Sequence, residues 1–292
     1  MKVVTYAQGT HTAVGILKQD GSEVVPVSYL GCPAKDMTEF ITDITEKKLQ
    51  KLKRNTELMQ GIPIADVRIL SPIIHPKQDV ICLGINYYAH AQEAARFSDA
   101  AFGGERPQPI YFSKRVNQAV PPDGEIDGHF DIVDSLDYEV ELAVVIGKNA
   151  KNISEADAFD VVFGYTILND MSARNLQTSH KQWYFGKSLD DFTPIGPCIV
   201  TKDAFTNPPA LAIRSFVNGQ LRQDSNTSLM INHIAKVISQ LSQGMTLQAG
   251  TIIAMGTPAG VGMGFDPPKF LQSGDVVTCE IEGIGILENR IK

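Results

Sequence analysis

The most constraining feature of this 292-residue chain is a run of alternating carboxylates that leads into an unbroken apolar segment. Asp137, Glu139 and Glu141 occupy alternate positions, and the apolar residues 142–146 follow at once. Because successive side chains of a strand point to opposite faces, the three carboxylates are expected to share one face. Like charges at the start of a buried strand repel one another unless a cation compensates them or water reaches that face.

Two interpretations of these carboxylates are open, a solvated face and a metal site. The apolar continuation favours the metal site, since it places the carboxylates at the edge of a buried strand. Carboxylates favour hard cations over zinc, which prefers His and Cys. The sequence therefore predicts Mg²⁺ or Mn²⁺, with Ca²⁺ as an alternative, held by Glu139, Glu141 and one ligand from elsewhere.

Asp170 is the candidate for that remaining ligand, because a strand-like run ends just before it and a helix is predicted just after it. The alternative role for an aspartate at this place is a helix N-cap. Arg174 and Gln177 follow at helical spacing, so they are expected on the same helix face, where they can meet an anionic substrate.

His90 and Glu93 follow a buried strand-like run at residues 79–85. Their spacing of three residues on a predicted helix lets the carboxylate accept a hydrogen bond from the imidazole and raise its basicity. A base that takes a proton from water requires this arrangement. A surface ion pair is the alternative.

Two further segments carry polar groups. Lys187 follows the aromatic residues 183–185 and precedes a loop stiffened by Pro and Gly, which indicates a positioned ammonium facing an anion or oxyanion. An ordinary solvated lysine is the alternative. The glycine-rich residues 254–264 lack the spacing of a P-loop or a dinucleotide fingerprint, so a nucleotide site is not predicted. The backbone N–H groups of this loop and Thr257 are candidates for holding a carboxylate.

Composition excludes several functional classes. The chain is 43% hydrophobic and 20% charged, as in ordinary globular proteins, and its net charge of −7 comes without a long basic run, so no nucleic-acid partner is expected. The longest apolar stretches are far shorter than the roughly 18 residues that predict a membrane span. Four separated cysteines without a C-x-x-C pair, and the lack of a secretory leader, predict reduced core thiols and a cytoplasmic location.

Pro72 and Pro76 mark the expected boundary between a small N-terminal domain, residues 1–70, and a larger, mostly β domain, residues 71–292. The first contains short strand-like runs and a Lys-rich helical stretch at residues 37–58. In the second, Asn218-Gly219 predicts a hairpin turn, and apolar periodicity predicts a helix over residues 230–241. The other strand-like runs of the larger domain lie at residues 79–85, 109–113, 138–146, 164–168, 194–200, 211–217, 251–255 and 275–281.

These segments together resemble the fumarylacetoacetate hydrolase family over roughly residues 67–292, in its bacterial acylpyruvase or 2-hydroxyhepta-2,4-diene-1,7-dioate isomerase-like branch. The resemblance implies an α+β, mainly β fold, a mixed β-sandwich roll with a small N-terminal α/β unit, and a homodimer. It also implies Mg²⁺ or Mn²⁺ bound by Glu139, Glu141 and Asp170. The ordered motifs that carry it are Gly84-Ile85-Asn86-Tyr87 with His90 and Glu93, Asp137-Tyr138-Glu139-Val140-Glu141, Asn169-Asp170 with Arg174 and Gln177, Lys187-Ser188, and Met255-Gly256-Thr257-Pro258-Ala259-Gly260.

By the same resemblance, His90 and Glu93 correspond to a water-activating pair on a segment that orders over the site, and residues 94–109 would suit such a lid. Residues that hold substrate or stabilise developing charge are matched by Arg174, Gln177, Lys187 and Thr257. The short N-terminal unit departs from the larger one of the tyrosine-degradation enzyme, which argues against fumarylacetoacetate itself as the substrate.

The function predicted from the sequence is metal-dependent hydrolysis of a carbon–carbon bond in a 2,4-dioxo acid, of the acylpyruvate or fumarylpyruvate type. The products are pyruvate and a carboxylic acid. The alternatives are oxaloacetate decarboxylation and isomerisation or hydration of an unsaturated 2-oxo acid, since each depends on a stabilised enolate. A non-catalytic carboxylate- or calcium-binding protein is a further alternative, but a binding site alone has little need of the His90–Glu93 base.

Overall fold

A computed structural model describes residues 1–98 and 108–292 of the chain. At its centre lies strand β10 (Val140–Ile146), in which every residue is buried. This strand pairs antiparallel with β11 (Val162–Asn169) on one edge and with β16 (Ile252–Ala254) on the other. A strand with neighbours on both edges and covered faces needs apolar side chains on both faces, which explains the continuous apolar run.

Within the described residues, eleven strands form one large mixed sheet around β10. Its remaining strands are β1 (Lys2–Gln8), β2 (His11–Leu17), β3 (Glu23–Pro26), β4 (Ile62–Pro63), β5 (Arg68–Leu70), β6 (Val80–Gly84), β7 (Ile110–Lys114) and β13 (Ile195–Thr201). The order is β4-β3-β2-β1-β13-β11-β10-β16-β6-β7, with β5 paired to β1.

A second sheet of five strands, counted over the same described ranges, covers one face of the first. It has the order β15-β14-β17-β18-β8, with the bounds β15 (Gln220–Asn226), β14 (Ala212–Val217), β17 (Val276–Ile281), β18 (Gly285–Ile291) and β8 (Glu125–Ile126). Leu142 and Val144 of β10 share a buried cluster with Ile213 and Val277 of this sheet. The layers therefore form a sandwich.

The helices lie outside this sandwich. Their bounds are α1 (Met37–Asp43), α2 (Glu46–Thr56), α3 (Tyr88–Phe97), α4 (Arg174–Ser179), α5 (Tyr184–Lys187) and α6 (Ile234–Ser242). Helix α1 covers the other face of the large sheet, because Phe40 shares a buried cluster with Ala143 and Val145. The predicted helical stretch at residues 37–58 is two helices: α1 ends at Asp43, and Thr45 caps α2 by accepting the Lys48 N–H at 3.3 Å.

The predicted fold class, α+β and mainly β with mixed sheets, is confirmed: β16 pairs with β6 in parallel, whereas β10 and β11 are antiparallel. The hairpin is also confirmed, with positive φ at Asn218 and Gly219. The predicted start of the last helix was wrong by four residues. Met230 instead bridges to Tyr87, so tertiary pairing overrides the helical pattern there.

The N-terminal strands join the large sheet, because Lys2 of β1 pairs with Val200 of β13. One sheet thus crosses the predicted boundary at residue 70, and the division into two domains stays a prediction, as does the homodimer. Across residues 1–98 and 108–292, no helix has the length and apolar character needed to cross a membrane. All four cysteines are free thiols, and three of them are buried.

Leu142→Ala should lower the free energy of unfolding by about 2–5 kcal/mol, because it opens a cavity in the fully buried centre of the sandwich. The urea unfolding midpoint of the metal-free protein measures this. Ile286→Ala, at a position that is 54% exposed, is the matched control and should stay within about 0.5 kcal/mol of the wild type. Equal losses in the two variants would contradict the assignment of β10 to the core.

Candidate active site

The register of the two central strands brings the predicted carboxylates together. Val140 pairs with Asn169, so Glu139 and Asp170 meet at the ends of β10 and β11, and the Asp170 N–H donates to the Glu139 carbonyl at 2.9 Å. Glu141 lies two residues further along β10. One ligand atom from each of Glu139, Glu141 and Asp170 lies within 4.8 Å of the others, and all three residues are buried. We call these three residues the carboxylate triad.

Asp137 does not belong to the triad, although the alternation predicts that it shares the triad's face. Strand pairing is interrupted after β9 (Leu136–Asp137), which pairs with the short strand β12 (Ser172–Ala173). The Asp137 carboxylate accepts hydrogen bonds from the Gly262 N–H at 2.6 Å, the Met263 N–H at 3.0 Å and Arg174 Nε at 2.9 Å. It therefore fixes the glycine-rich loop and Arg174 in place.

Three buried cations surround the triad. Lys187 Nζ donates to Glu139 Oε2 at 2.8 Å and to Asp170 Oδ2 at 2.7 Å. Arg174 Nη2 lies 2.7 Å from Glu139 Oε1, an ion pair whose alignment falls short of a hydrogen bond. Lys114 Nζ donates to Asp170 Oδ1 and to the Met171 carbonyl.

Lys114 is a site residue that the sequence reasoning missed. It ends β7, and its side chain is fully buried. In the sequence, Lys114 stands directly after the strand-like run at residues 109–113. A lysine at such a place is ordinarily interpreted as an exposed turn residue. Only the pairing of β7 with β6, which sets Lys114 opposite Val80, carries its ammonium toward Asp170.

Glu141 has no cationic contact among the described residues, and its carboxylate accepts the Gly256 N–H at 2.7 Å. Burial, and then the charges of Asp170 and Glu139, raise its pKa well above the usual range. Burial would also raise the pKa of Glu139, but Lys187 and Arg174 together lower it. Burial opposes the charged form of Lys187, yet Asp170 and Glu139 raise its pKa.

The triad fits a divalent cation. Among the described residues, the cations Lys114, Arg174 and Lys187 pair with Asp137, Glu139 and Asp170, so Glu141 is left without a cationic partner. The donors are all carboxylate oxygens, which is the chemistry of a Mg²⁺ or Mn²⁺ site. The prediction that Asp170 serves as an N-cap is excluded, because Ala173 occupies the N-cap of α4. The role of the triad as metal ligands stays a prediction.

His90 and Glu93 form a buried pair on α3. His90 Nδ1 lies 3.1 Å from Glu93 Oε2. An ionised carboxylate only accepts hydrogen bonds, so Nδ1 carries the proton and Nε2 is the nitrogen left to accept one. The surface ion pair is excluded, since the two side chains are only 5% and 7% exposed.

The helix α3 follows a strained turn. Ile85, the first residue after β6, has φ of 54°, which a β-branched residue adopts at a cost of order 1–3 kcal/mol. Asn86, the next residue, fixes this turn, because its side-chain amide donates to the carbonyls of Asn232 and Met255 at 3.0 and 2.8 Å. The residues 99–107, which form most of the predicted lid, lie outside the described residues.

The glycine-rich loop at residues 256–264 holds carboxylates of the protein itself. Its N–H groups donate to three of them, Gly256 to Glu141, Gly260 to Glu93, and Gly262 to Asp137. The sequence predicts that the N–H groups of this loop hold a carboxylate. In the described structure, the carboxylates that they hold are side chains of the protein.

Arg174 and Gln177 lie together on α4 as the spacing predicts, and Arg174 Nη1 donates to Gln177 Oε1 at 3.0 Å. The Gln177 amide N–H groups donate to no side chain or carbonyl of the described residues, and they are available to a substrate oxygen. Thr257 is engaged otherwise, because its hydroxyl donates to the Val140 carbonyl at 2.8 Å and accepts from Gln223 Nε2 at 2.7 Å. Its hydroxyl proton is therefore not free for substrate while these bonds hold.

Several of these groups line a narrow cleft with a volume of about 20 Å³, which is little more than the space that one water molecule needs. Phe112 and Trp183 form one wall with ring centroids 5.4 Å apart, and Lys187 Nζ lies 5.2 Å from the Phe112 centroid. The cleft is lined by Leu83, Gly84, Ile85, His90, Phe112, Glu139, Glu141, Arg174, Gln177, Trp183, Lys187, Thr257 and Met263.

Comparison with known proteins places this site in a family. The model of the fumarylacetoacetate (FAA) hydrolase C-terminal domain matches residues 79–292. The chain belongs to the fumarylacetoacetate hydrolase family. Among curated fumarylacetoacetate hydrolase relatives, oxaloacetate tautomerase YisK of Bacillus subtilis is 43% identical over 270 residues, which covers 92% of this chain and 88% of that protein.

Two solved structures of the fumarylacetoacetate hydrolase fold extend the comparison. A fumarylacetoacetate hydrolase from Exiguobacterium antarcticum has 37% identity and a TM-score of 0.84, covering 100% of this chain and 99% of that one. A maleylpyruvate hydrolase from Sphingobium sp. SYK-6, in complex with manganese(II) and pyruvate, has 28% identity and a TM-score of 0.79, with 100% and 98% covered. The chain is thus an enzyme of this family, and its triad supports a divalent metal.

Mn²⁺ at a hundred times its Kd should raise the free energy of unfolding of the EDTA-treated protein by about 2.7 kcal/mol. Glu141→Gln should abolish this gain, because the variant lacks the carboxylate that has no cationic partner. Thermal unfolding with and without Mn²⁺ measures the effect. Glu155→Gln, at an exposed position, is the control and should respond to Mn²⁺ like the wild type. An undiminished Mn²⁺ response in Glu141→Gln would sink the ligand assignment.

Lys114→Met should destabilise the metal-free protein by about 3–5 kcal/mol, because it leaves a buried carboxylate short of one partner. The matched control is Lys53→Met, which removes a half-exposed ion pair of 2.8 Å to Asp203 and should cost about 0–1 kcal/mol. Urea unfolding compares the two variants. Similar small losses in both would show that Lys114 is not needed to compensate Asp170.

Proposed function

We propose that this protein catalyses keto–enol tautomerisation of a small 2-oxo dicarboxylic acid of the oxaloacetate type. The observation that carries the proposal is the buried His90–Glu93 base, because His90 lines the same small cleft as Glu139 and Glu141 of the carboxylate triad. Tautomerisation needs one proton to leave C3 and one to reach the 2-oxo oxygen, and it needs no attacking water. The relative in Bacillus subtilis that is named oxaloacetate tautomerase supports this choice.

The side chains of the cleft have distinct tasks in this reaction. His90, with Nδ1 held by Glu93, takes the C3 proton on Nε2 and returns a proton to the oxygen at C2. The free N–H groups of Gln177 and the third donor of Lys187 can bind substrate oxygen atoms. A divalent cation held by Glu139, Glu141 and Asp170 would supply Lewis-acid stabilisation of the negative charge that develops on the 2-oxo oxygen.

A bound divalent cation would help the site to accept an anionic substrate. Lys114, Arg174 and Lys187 leave Glu141, and Glu93 beside a neutral His90, without a cationic partner among the described residues, and the two positive charges of the cation would offset these two carboxylates. Apolar walls at Leu83, Phe112 and Trp183 exclude water and strengthen these interactions. The narrowness of the cleft favours a substrate with few atoms beyond the 2-oxo acid group.

Hydrolysis of a 2,4-dioxo acid to pyruvate and a carboxylic acid is the second candidate. The maleylpyruvate hydrolase that was solved with manganese and pyruvate favours it, since that relative shares the fold over the whole chain. In this reaction His90 would take a proton from water instead of from C3. Oxaloacetate decarboxylation is a third candidate: the C3–C4 bond breaks, CO2 leaves, and the resulting enolate of pyruvate takes up a proton at C3, so no attacking water is needed.

The test incubates the purified protein with the enol form of oxaloacetate and follows its conversion to the ketone. Loss of the enol's ultraviolet absorbance, and ketone formation coupled to malate dehydrogenase, should be accelerated above a metal-only control. EDTA should remove this activity. His90→Ala should lower kcat by about 10²–10⁴, the usual contribution of a general base, while Glu155→Gln should not change it.

Pyruvate release separates the candidates. Metal-dependent pyruvate from acetylpyruvate, without acceleration of tautomerisation, would favour the hydrolase and overturn the tautomerase. Pyruvate from oxaloacetate above the metal-only control would favour the decarboxylase. Tautomerisation without pyruvate from either acid is the result that we expect.

A further inference from the structure

The position of Glu93 depends on a glycine that no catalytic role explains. Its side chain lies directly against the α-carbon of Gly264, where a β-carbon would overlap with Oε1, Cδ and Cγ of Glu93. On the other side, the Gly260 N–H donates to Oε1 at 2.9 Å and to Oε2 at 3.2 Å. The carboxylate is thus enclosed by the loop on one side and by His90 on the other.

Gly264 itself has a backbone that alanine can adopt. It lacks the left-handed φ of Gly256 and Gly260, and its N–H donates to the Val261 carbonyl at 2.9 Å. The nearest atoms to an added β-carbon all belong to the Glu93 side chain. Gly260 differs, because its φ of 106° and its contact with the Arg222 carbonyl require glycine for the backbone alone.

The same loop also fixes the triad. The Gly256 N–H holds Glu141, and the Gly262 and Met263 N–H groups hold Asp137, which in turn holds Arg174. Tyr138, between β9 and β10, anchors the loop, since its hydroxyl donates to the Gly260 carbonyl at 2.9 Å. One continuous segment therefore sets the distance between the carboxylates of the triad and the base on α3.

We infer that Gly264 is a positioning residue: the absence of a side chain there lets loop 256–264 hold Glu93, and through it His90, at a fixed place relative to the triad. The effect on turnover rests on the proposed function, whereas the effect on the His90 ring does not. Removing one methylene from Glu93 should make room for a β-carbon at residue 264, so Glu93→Asp is the matched compensating change.

The experiment compares wild type, Gly264→Ala, Glu93→Asp and the double variant. Gly244→Ala is the control, because nothing lies within 4 Å of its added β-carbon. Gly264→Ala should lower kcat by about 10²–10⁴, as loss of a general base does, with a smaller change in KM and with Mn²⁺ stabilisation retained. In the Glu93→Asp background the same substitution should cost at least tenfold less, a non-additivity expected of side chains in contact.

A second measurement needs no turnover. In ¹⁵N-labelled protein at pH 8.5, where an ordinary imidazole is neutral, the histidine ring nitrogens report the tautomer. His90, assigned by His90→Gln, should carry its proton on Nδ1 in the wild type, lose this preference in Gly264→Ala and regain it in part in the double variant.

The outcomes separate the two proposals. Oxaloacetate left unchanged by the wild type would end the proposed function, and the His90 tautomer alone would then decide the role of Gly264. A wild-type tautomer in Gly264→Ala, or a cost that is the same in both backgrounds, would overturn the positioning role. Loss of Mn²⁺ stabilisation in Gly264→Ala would overturn it too, because it would show that the glycine supports the whole site.

Discussion

This site depends on one constraint: it buries more carboxylate groups than the protein's own cations can neutralise. Glu139, Glu141 and Asp170 meet at the ends of two central strands, where water is excluded. Burying a charge without a partner costs several kcal/mol of folding free energy. Side-chain and backbone donors therefore surround these carboxylates. Lys114 and Lys187 are buried for this reason. What they leave uncompensated, at Glu141, is the charge that a divalent cation fits.

Backbone donors complete the compensation and link the two halves of the chemistry. The glycine-rich loop gives N–H groups to Glu141 of the triad and to Glu93 of the base. Such donors carry no rotamer freedom, and they keep their direction as long as the loop keeps its conformation. A loop without side chains can also approach the carboxylates closely. One short segment therefore fixes the position of a triad carboxylate relative to the carboxylate that orients the base.

This arrangement explains why one family can contain tautomerases and hydrolases. A triad that holds a cation and a base that moves one proton are sufficient to form an enolate from a 2-oxo acid. Which reaction follows depends on whether the base acts on a C–H bond or on water, and on the room beyond the 2-oxo group. In the proposed function the base acts on a C–H bond, and the narrow cleft and the engaged hydroxyl of Thr257 support that proposal.

The sequence by itself determined the features that depend on local periodicity: the buried central strand, the hairpin at Asn218-Gly219, the pairing of His90 with Glu93, and the candidate ligands. These follow because strand and helix geometry place side chains at fixed spacings along the chain. Only the tertiary structure decided that Asp137 binds Arg174 and the loop, that Lys114 reaches Asp170, and that Gly264 must lack a side chain beside Glu93. Each of these joins residues far apart in the chain, and no local pattern encodes such a contact, because strand register and loop closure determine which distant groups meet.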